Sequence, residues 1–397
     1  MENFISEIKQ FEYMKRIADE QYQIFLNEGH ATAGNNGPHG HIDSPVRNTA
    51  HYLVIYTYLY KVSNEIKYLE ICEIFAKYLC NKQAESKSGA IECMMTDKFD
   101  HLNGLIGQAW VVEALLYYYD LTRSTLLLET AKKIFYAQQY DYKLHLWHRI
   151  ELNGDDIGID PTYNHNIWFA ACASKILDYE DDEQLRSIIT DILTKGAERD
   201  FRIYRNGLLR HTVLHAEKKG VVVKAKKIIK AVLYHFRKFP GLDKINVRKL
   251  DTAYMEKAYH IFDMYGFCIL EDKFGELPIF SSNDYQKAKT YALDIQKYNN
   301  SCYVEDALSD PNGAGFNVFS YSYNSPAFEY PYVAQCLGGD DRDLLEKLYD
   351  IQVKLMYDES KKDFIRNNPD IYTFHAKTYE IIRYLDFQEK VGEARNR

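Results

Sequence analysis

The chain has 397 residues, of which 46% are hydrophobic and 27% are charged, and its formal net charge at pH 7 is -8. This acidic balance argues against nucleic acid as a partner, because phosphate binding needs a basic face. No run of 18 uncharged apolar residues is present, so no membrane-spanning helix is predicted. The seven cysteines are scattered and the N-terminus lacks a secretory pattern, which together favour a cytoplasmic protein with reduced thiols.

Residues 1–28 are predicted to form one amphipathic helix, and residues 29–43 a loop rich in Gly, Asn and His. A pattern then recurs along the chain. A polar loop leads into a helix that is apolar on nearly all sides, and a short polar turn leads into an amphipathic helix rich in Lys and Glu. The apolar helices must be buried, and the amphipathic helices must cover them.

Six starts of apolar helices are marked by capping residues or by proline at the first helical position. They lie at or near Ser44-Pro45, Asp100, Asp160-Pro161, Asp251, Ser325-Pro326 and Pro369-Asp370. The first three repeat at about 58 residues, a spacing typical of stacked units of two helices. Six inner and six outer helices predict an all-α fold, an (α/α)6 toroid forming a single domain over residues 1–397. An open solenoid is the alternative.

Residues 213–240 lengthen the third unit and are predicted to form an inserted helix. This segment carries eight Lys and Arg residues against one acid, Glu217. One interpretation is a covering helix with a solvated basic face. The other is an arm that docks on an acidic glycan, a membrane or a second subunit. The sequence leaves the oligomeric state open.

In a toroid the loops that enter the inner helices share one face, where the N-terminal ends of those helices surround a cavity. These loops carry carboxylates, histidines and aromatic rings, a combination that suits an oligosaccharide or polysaccharide substrate. The residues predicted to bind it are His41, Asp43, Arg47, Trp147, Arg149, Tyr163, Asn164, Tyr323, Glu329 and His375.

Two other site types have weaker support. The pattern His39-Gly40-His41-x-Asp43 could supply part of a metal site, but the spacing fixes no further ligands, so no metal and no cofactor are predicted. The glycine-rich stretches 34–37 and 154–158 lack the strand and the lysine of a phosphate-binding loop.

Two short motifs carry a resemblance to a known superfamily. Residues 97–104 read Asp-Lys-Phe-Asp-His-Leu-Asn-Gly, and residues 159–164 read Ile-Asp-Pro-Thr-Tyr-Asn. Together they resemble the six-hairpin glycosidase superfamily, nearest the unsaturated glucuronyl hydrolase family, in which one aspartate enters an inner helix near a His-Asp-Leu-Gly motif and a second enters the next. Here Asp-His-Leu-Asn-Gly replaces the first motif. Sugar epimerases, polysaccharide lyases and surface-polysaccharide biosynthesis proteins share the architecture.

The first functional hypothesis follows from this resemblance. It is a glycoside hydrolase acting on a glycan that contains uronic acid, with Asp160 as general acid/base and Asp100 as its carboxylate partner. An acid in this role needs a raised pKa, which the second carboxylate would supply. Asp160→Asn is expected to change stability little, because asparagine keeps a capping oxygen.

Two further hypotheses stay open. The second is proton transfer at a sugar carbon by an epimerase or a lyase, in which His101, His165, Tyr163 and Asn164 serve as base, acid and carboxylate-neutralising groups. The third is a non-catalytic glycan-binding protein of surface-polysaccharide biosynthesis. The richness in histidine favours the second hypothesis, because imidazole titrates near working pH.

Overall fold

A computed structural model of the protein describes residues 8–96, 98–217, 253–294, 316–339 and 342–395. Its main helices alternate between an outer and an inner layer. The outer helices are α1 (Lys9–Glu28), α3 (Ile66–Glu85), α5 (Thr125–Ala137), α7 (Glu183–Asp191), α9 (Asn283–Leu293) and α11 (Arg342–Met356). The inner helices are α2 (Pro45–Ser63), α4 (Gly104–Thr122), α6 (Tyr163–Ala173), α8 (Tyr254–Phe274), α10 (Pro326–Cys336) and α12 (Ile371–Lys377), which continues through a 3-10 turn (Thr378–Ile381) into α13 (Ile382–Arg395).

The inner helices form a closed ring. Along the chain, α2 packs on α4, α4 on α6, α6 on α8 and α8 on α10. The ring closes because α10 packs on the 3-10 turn that follows α12, and α12 packs on α2. An open solenoid would lack this last contact. The predicted all-α toroid is therefore confirmed.

Burial follows the predicted division into apolar and amphipathic helices. In α4, every residue from Gly104 to Leu116 is buried. The outer helix α1 buries one stripe, which includes Phe11, Met14 and Ile17, and exposes its charged face. A helix that is apolar all round can be stable only inside the ring, whereas a single stripe suffices outside it.

Inner helices begin near the predicted starts, but the capping residue or the first helical residue differs at some of them. Ser44 accepts a hydrogen bond from the Val46 N–H, and Asp370 accepts one from Thr373. Helix α6 begins at Tyr163, two residues later than predicted. The hydroxyl of Ser325 donates to Gln352 instead of capping α10. The start predicted near Asp251 lies outside the described residues.

A small antiparallel sheet, which the sequence did not predict, borders the open end of the ring. Its strands are β1 (Tyr140–Asp141), β2 (Leu146–Ile150) and β3 (Asp156–Ile159), in the order β1-β2-β3. His148 is paired with Ile159, and Ile150 with Asp156, with an irregularity between them. The sheet thus fixes a segment that was expected to be a loop.

Most of the predicted insertion at 213–240 falls outside the described residues; the described part ends in the short helix Leu214–Glu217. Further short helical segments are Gly37–His39, Ser174–Asp178, Ile192–Gly196, Ala197–Asp200 and Pro278–Ser281. In the described part of the chain, no helix is both long enough and apolar enough to cross a membrane.

Candidate active site

The N-terminal ends of the inner helices surround a cavity of about 320 Å³, a volume within the range of small-molecule sites. It opens on the face that the sequence predicted. Six of the predicted residues line its walls: His41, Asp100, Arg149, Asp160, His165 and Tyr323.

Asp160 connects three parts of the site. Its Oδ1 accepts from the Thr162 N–H at 2.9 Å, and its Oδ2 accepts from the Leu105 N–H at 2.9 Å. The same Oδ2 lies 3.0 Å from Nδ1 of His165. Burial by itself raises the pKa of Asp160, but His165 and the two backbone N–H groups outweigh it and hold the pKa below its ordinary value. The expectation of a raised pKa for this carboxyl is therefore wrong.

Asp100 is also fully engaged. Its Oδ1 accepts from the Gly104 N–H at 2.7 Å, and its Oδ2 accepts from Arg149 at 2.8 Å. Gly104 separates the two carboxylates and has φ of +59°; a Cβ placed there would lie 2.6 Å from Asp160 Oδ2 and 2.6 Å from His165 Nδ1. Only glycine fits position 104, because the backbone there is left-handed and because a Cβ would overlap the side chains of Asp160 and His165.

Two imidazoles, those of His39 and His211, and the phenol of Tyr259 form another part of the wall. Nε2 of His39 lies 2.6 Å from the hydroxyl of Tyr259, and the ring centroids of His211 and Tyr259 are 4.9 Å apart. Burial, together with the nearby His165 and His39, lowers the pKa of His211 to about 3, so this imidazole is neutral at pH 7. Burial raises the pKa of Tyr259 well above its ordinary value, which keeps the phenol protonated.

Arg47 lies behind the wall and orients it. Its guanidinium donates to Asn36 Oδ1 at 2.7 Å and to the Tyr323 hydroxyl at 3.0 Å, and it lies over the Trp110 ring at 4.4 Å. Asp43 accepts from it at 3.2 Å. Burial raises the pKa of Asp43 to about 6 in spite of Arg47. The two predicted binding residues Arg47 and Asp43 thus support wall residues and do not themselves line the cavity.

A buried charge cluster lies beneath the cavity. The ammonium of Lys377 is 5.1 Å from the Tyr323 ring and 4.8 Å from the Phe262 ring, both of which line the cavity. It pairs with Glu380 and lies 3.5 Å from Glu329. Burial and the neighbouring Glu380 raise the pKa of Glu329 well above its ordinary value. Glu329, predicted to bind substrate, therefore belongs to the cluster below the floor.

Five other predicted residues point away from the cavity. Trp147 is fully buried against Phe135 and Phe169 in the core. The other four side chains are held by partners outside the cavity wall. Tyr163 packs on Phe267, and Asn164 donates to Asp263 at 2.8 Å. His375 lies 3.0 Å from Asp363, and His101 lies 3.5 Å from Glu151. The structure thus brings six of the predicted residues to the cavity and directs these five elsewhere.

The sequence did not select several wall residues. Met255, Tyr259 and Phe262 follow the spacing of one helix face, a signal that could have identified them once α8 was placed. His211 carried no such signal, because it lies in the connection between α7 and α8. It is brought to the cavity by its carbonyl, which accepts from the Tyr163 N–H at 2.8 Å.

Comparison with known proteins places the fold. No protein-family model matches the sequence. Over 377 residues the chain is 26% identical to archaeal glycosylation protein Q of Haloferax volcanii, covering 94% of this chain and 96% of that protein.

Two solved structures share the architecture at low sequence identity. A cellobiose 2-epimerase from Bacillus thermoamylovorans superposes with a TM-score of 0.62 at 12% identity, over 96% of this chain and 99% of that chain. D-mannose isomerase gives a TM-score of 0.56 at 13% identity, over 96% and 98%. The resemblance to toroid proteins is thus confirmed at the level of the fold.

Proposed function

We propose that this protein is an enzyme that transfers a proton at a carbon atom of a saccharide, as an epimerase or isomerase does. One observation carries the proposal: three imidazoles, those of His39, His165 and His211, meet in one cavity with the phenol of Tyr259. One of them, His165, is held by a buried carboxylate whose pKa is lowered. This arrangement supplies nitrogen and oxygen atoms that can accept, hold and return a proton.

The Asp160–His165 pair defines the first proton-transfer group. The carboxylate binds Nδ1, which leaves Nε2 as the nitrogen for the substrate, and it stabilises the imidazolium that forms when Nε2 takes a proton. His165 would therefore remove the proton from the carbon next to the carbonyl of the open-chain sugar.

His211 and Tyr259 complete the proposed reaction. The neutral imidazole of His211 can donate a hydrogen bond to the carbonyl oxygen of the sugar. The protonated hydroxyl of Tyr259, which lies against His39, can donate to the same oxygen. Return of the proton from His165 to the adjacent carbon isomerises the sugar. Inversion instead needs a second acid on the opposite face of the carbon, and His39, whose Nε2 lies 2.6 Å from the Tyr259 hydroxyl, would deliver that proton while His165 keeps the one it removed.

The comparisons support a saccharide as the substrate. The relative is named for glycosylation, and the two proteins of the same fold are named for cellobiose and mannose. The cavity volume of about 320 Å³ suits one sugar unit.

Hydrolysis of a uronic-acid glycan is the second candidate. It is favoured by the presence of two carboxylates, Asp100 and Asp160, on one wall. Against it, a glycosidase needs one protonated acid, and Asp160 has a lowered pKa.

Solvent exchange separates the two reactions. The protein is incubated in D2O with mannose, glucose, cellobiose and their uronic acids, and mass spectrometry follows deuterium at carbon. Incorporation without cleavage supports proton transfer. Cleavage of an unsaturated uronic disaccharide, seen as loss of its double-bond absorbance, without deuterium at carbon in any sugar would overturn it.

The variants His165→Asn and His211→Asn test the assignment, and His148→Asn is their control. His148 lies 2.8 Å from Asp156 on the exposed sheet and so repeats the Asp–His pair outside the cavity. We expect deuterium incorporation to fall by about 10²–10⁴ in the cavity variants and to stay unchanged in the control. Equal rates of deuterium incorporation in all three variants would show that neither His165 nor His211 takes part in the reaction.

A further inference from the structure

An exposed apolar surface adjoins the cavity. It consists of Ile42 and Met95, each 59% exposed, Phe99, 46% exposed, and Ile157, 38% exposed; we call these four side chains the rim patch. Single exposed apolar side chains are common on soluble proteins, but contiguous ones mark a binding surface.

Hydrogen bonds place the residues of the rim patch near one another. The Met95 N–H donates to the Ile42 carbonyl at 2.9 Å, so these two residues are cross-strand neighbours. Phe99 is followed directly by Asp100, whose carboxylate binds Arg149, and Arg149 in turn donates to the Ile157 carbonyl at 3.4 Å. The Phe99 ring also lies 4.4 Å from the ring of His41, which precedes Ile42, so the four residues lie along one stretch of the rim.

The rim patch continues into the cavity wall. Phe99 belongs to both, and its ring centroid lies 4.4 Å from that of His41, which also lines the cavity. A ligand whose polar end occupies the cavity can therefore extend outward over this surface. An apolar part of the ligand that covers the rim patch would be removed from water, and so would the apolar side chains beneath it, which favours binding.

A cation lies at the junction between cavity and rim patch. The ammonium of Lys98 is 5.5 Å from the Phe99 ring. Burial, followed by the charge of Lys98, lowers the pKa of His41. A positive charge between a sugar cavity and an apolar surface is complementary to a phosphate that joins a sugar to a hydrocarbon chain.

We propose that the natural substrate is a saccharide linked through phosphate to a long-chain lipid. The saccharide occupies the cavity, the phosphate lies near Lys98, and the first part of the hydrocarbon chain covers the rim patch. This inference rests on the proposed function for its sugar, but the binding of the lipid phosphate can be measured without any sugar.

The test compares decyl phosphate with methyl phosphate as probes, using calorimetry below the micelle concentration. We expect decyl phosphate to bind at least about 100-fold more tightly, because each large apolar side chain covered adds about tenfold. Phe99→Ser and Met95→Ser should each weaken decyl phosphate about tenfold. Lys98→Gln should weaken decyl phosphate while leaving 1-decanol unchanged.

Ile66→Ser and Leu126→Ser are matched controls, because these side chains are 69% and 59% exposed at the starts of α3 and α5, away from the cavity wall. They should bind decyl phosphate as the unaltered protein does. The proposal is overturned if decyl and methyl phosphate bind equally or if the control variants weaken binding as much as the rim variants. It is also overturned if Phe99→Ser dissociates a dimer, since a second copy would then cover the patch. Deuterium exchange at carbon tests the reaction separately, so either idea can fail alone.

Discussion

Replacement of Asp160 by asparagine is the sharpest test of how the site is built. The substitution keeps the shape of the side chain but converts one acceptor oxygen into an NH2 group. Both oxygens are in use, Oδ1 by the Thr162 N–H and Oδ2 by the Leu105 N–H and His165. In either orientation of the asparagine amide, its NH2 group faces a backbone N–H group, that of Thr162 or that of Leu105, and two donors then oppose each other.

The magnitude follows from those contacts. A hydrogen bond to a charged group contributes about 1.5–3 kcal/mol, and a buried donor left without an acceptor costs about 1–3 kcal/mol. We therefore expect Asp160→Asn to lower the free energy of unfolding by about 2–4 kcal/mol at pH 7. This differs from the small change predicted for a simple helix cap, because the carboxylate joins the starts of α4 and α6.

Urea unfolding at pH 7 measures this loss, and Asp156→Asn is the control. Asp156 makes a similar contact with His148 on the surface, where such a pair contributes about 0–1 kcal/mol. The pKa of Asp160 is lowered on folding, so its contribution is present above the unfolded pKa of about 3.9 and is lost as pH falls through the folded value. Equal costs for the two variants at pH 7, or a gap that closes well above pH 4, would refute this reasoning.

Three further predictions concern neighbouring positions. Gly104→Ala should lower stability by about 1–3 kcal/mol and reduce deuterium exchange, whereas Gly154→Ala, with φ of +98° and nothing within 4 Å of its Cβ, should leave exchange unchanged. The pKa of His211 falls to about 3 on folding, so the unfolded chain binds more protons at this residue than the folded protein does between pH 3 and 6.5. The free energy of unfolding should therefore rise with pH in this range, by at most about 1.4 kcal/mol per pH unit. His211→Asn should remove that slope in urea unfolding. Lys377→Met should cost about 3–5 kcal/mol in the same assay, against about 0–1 for Lys9→Met, which breaks only an exposed pair with Asp350.

The fold could be predicted because its signals are local. The cap at Ser44, the proline at 45 and the apolar run that follows each act within one helical turn, and the toroid repeats them. The sheet at 140–159 escaped prediction because its strands are only two to five residues long. Alternation cannot be recognised over so few residues.

The site was predictable as a set of loops but not as a set of side chains. Tyr163, Asn164 and His165 are consecutive, and only His165 lines the cavity. Successive helical side chains point about 100° apart. Because α6 begins two residues after the predicted start, the sequence could not fix which of the three faced inward.

The placement of the two carboxylates explains why imidazoles are the better candidates for the chemistry. Asp100 and Asp160 accept from successive backbone N–H groups, those of Gly104 and Leu105, at the start of α4. An anion at a helix N-terminus is stabilised by unpaired N–H groups and by the helix dipole. Asp160, whose pKa is lowered, is therefore poorly suited to act as a general acid, because it would first have to hold a proton and its protonated form loses those interactions. A group that exchanges a proton with the substrate must present a basic atom to the cavity, and His165, which is held through Nδ1 by Asp160, can present Nε2.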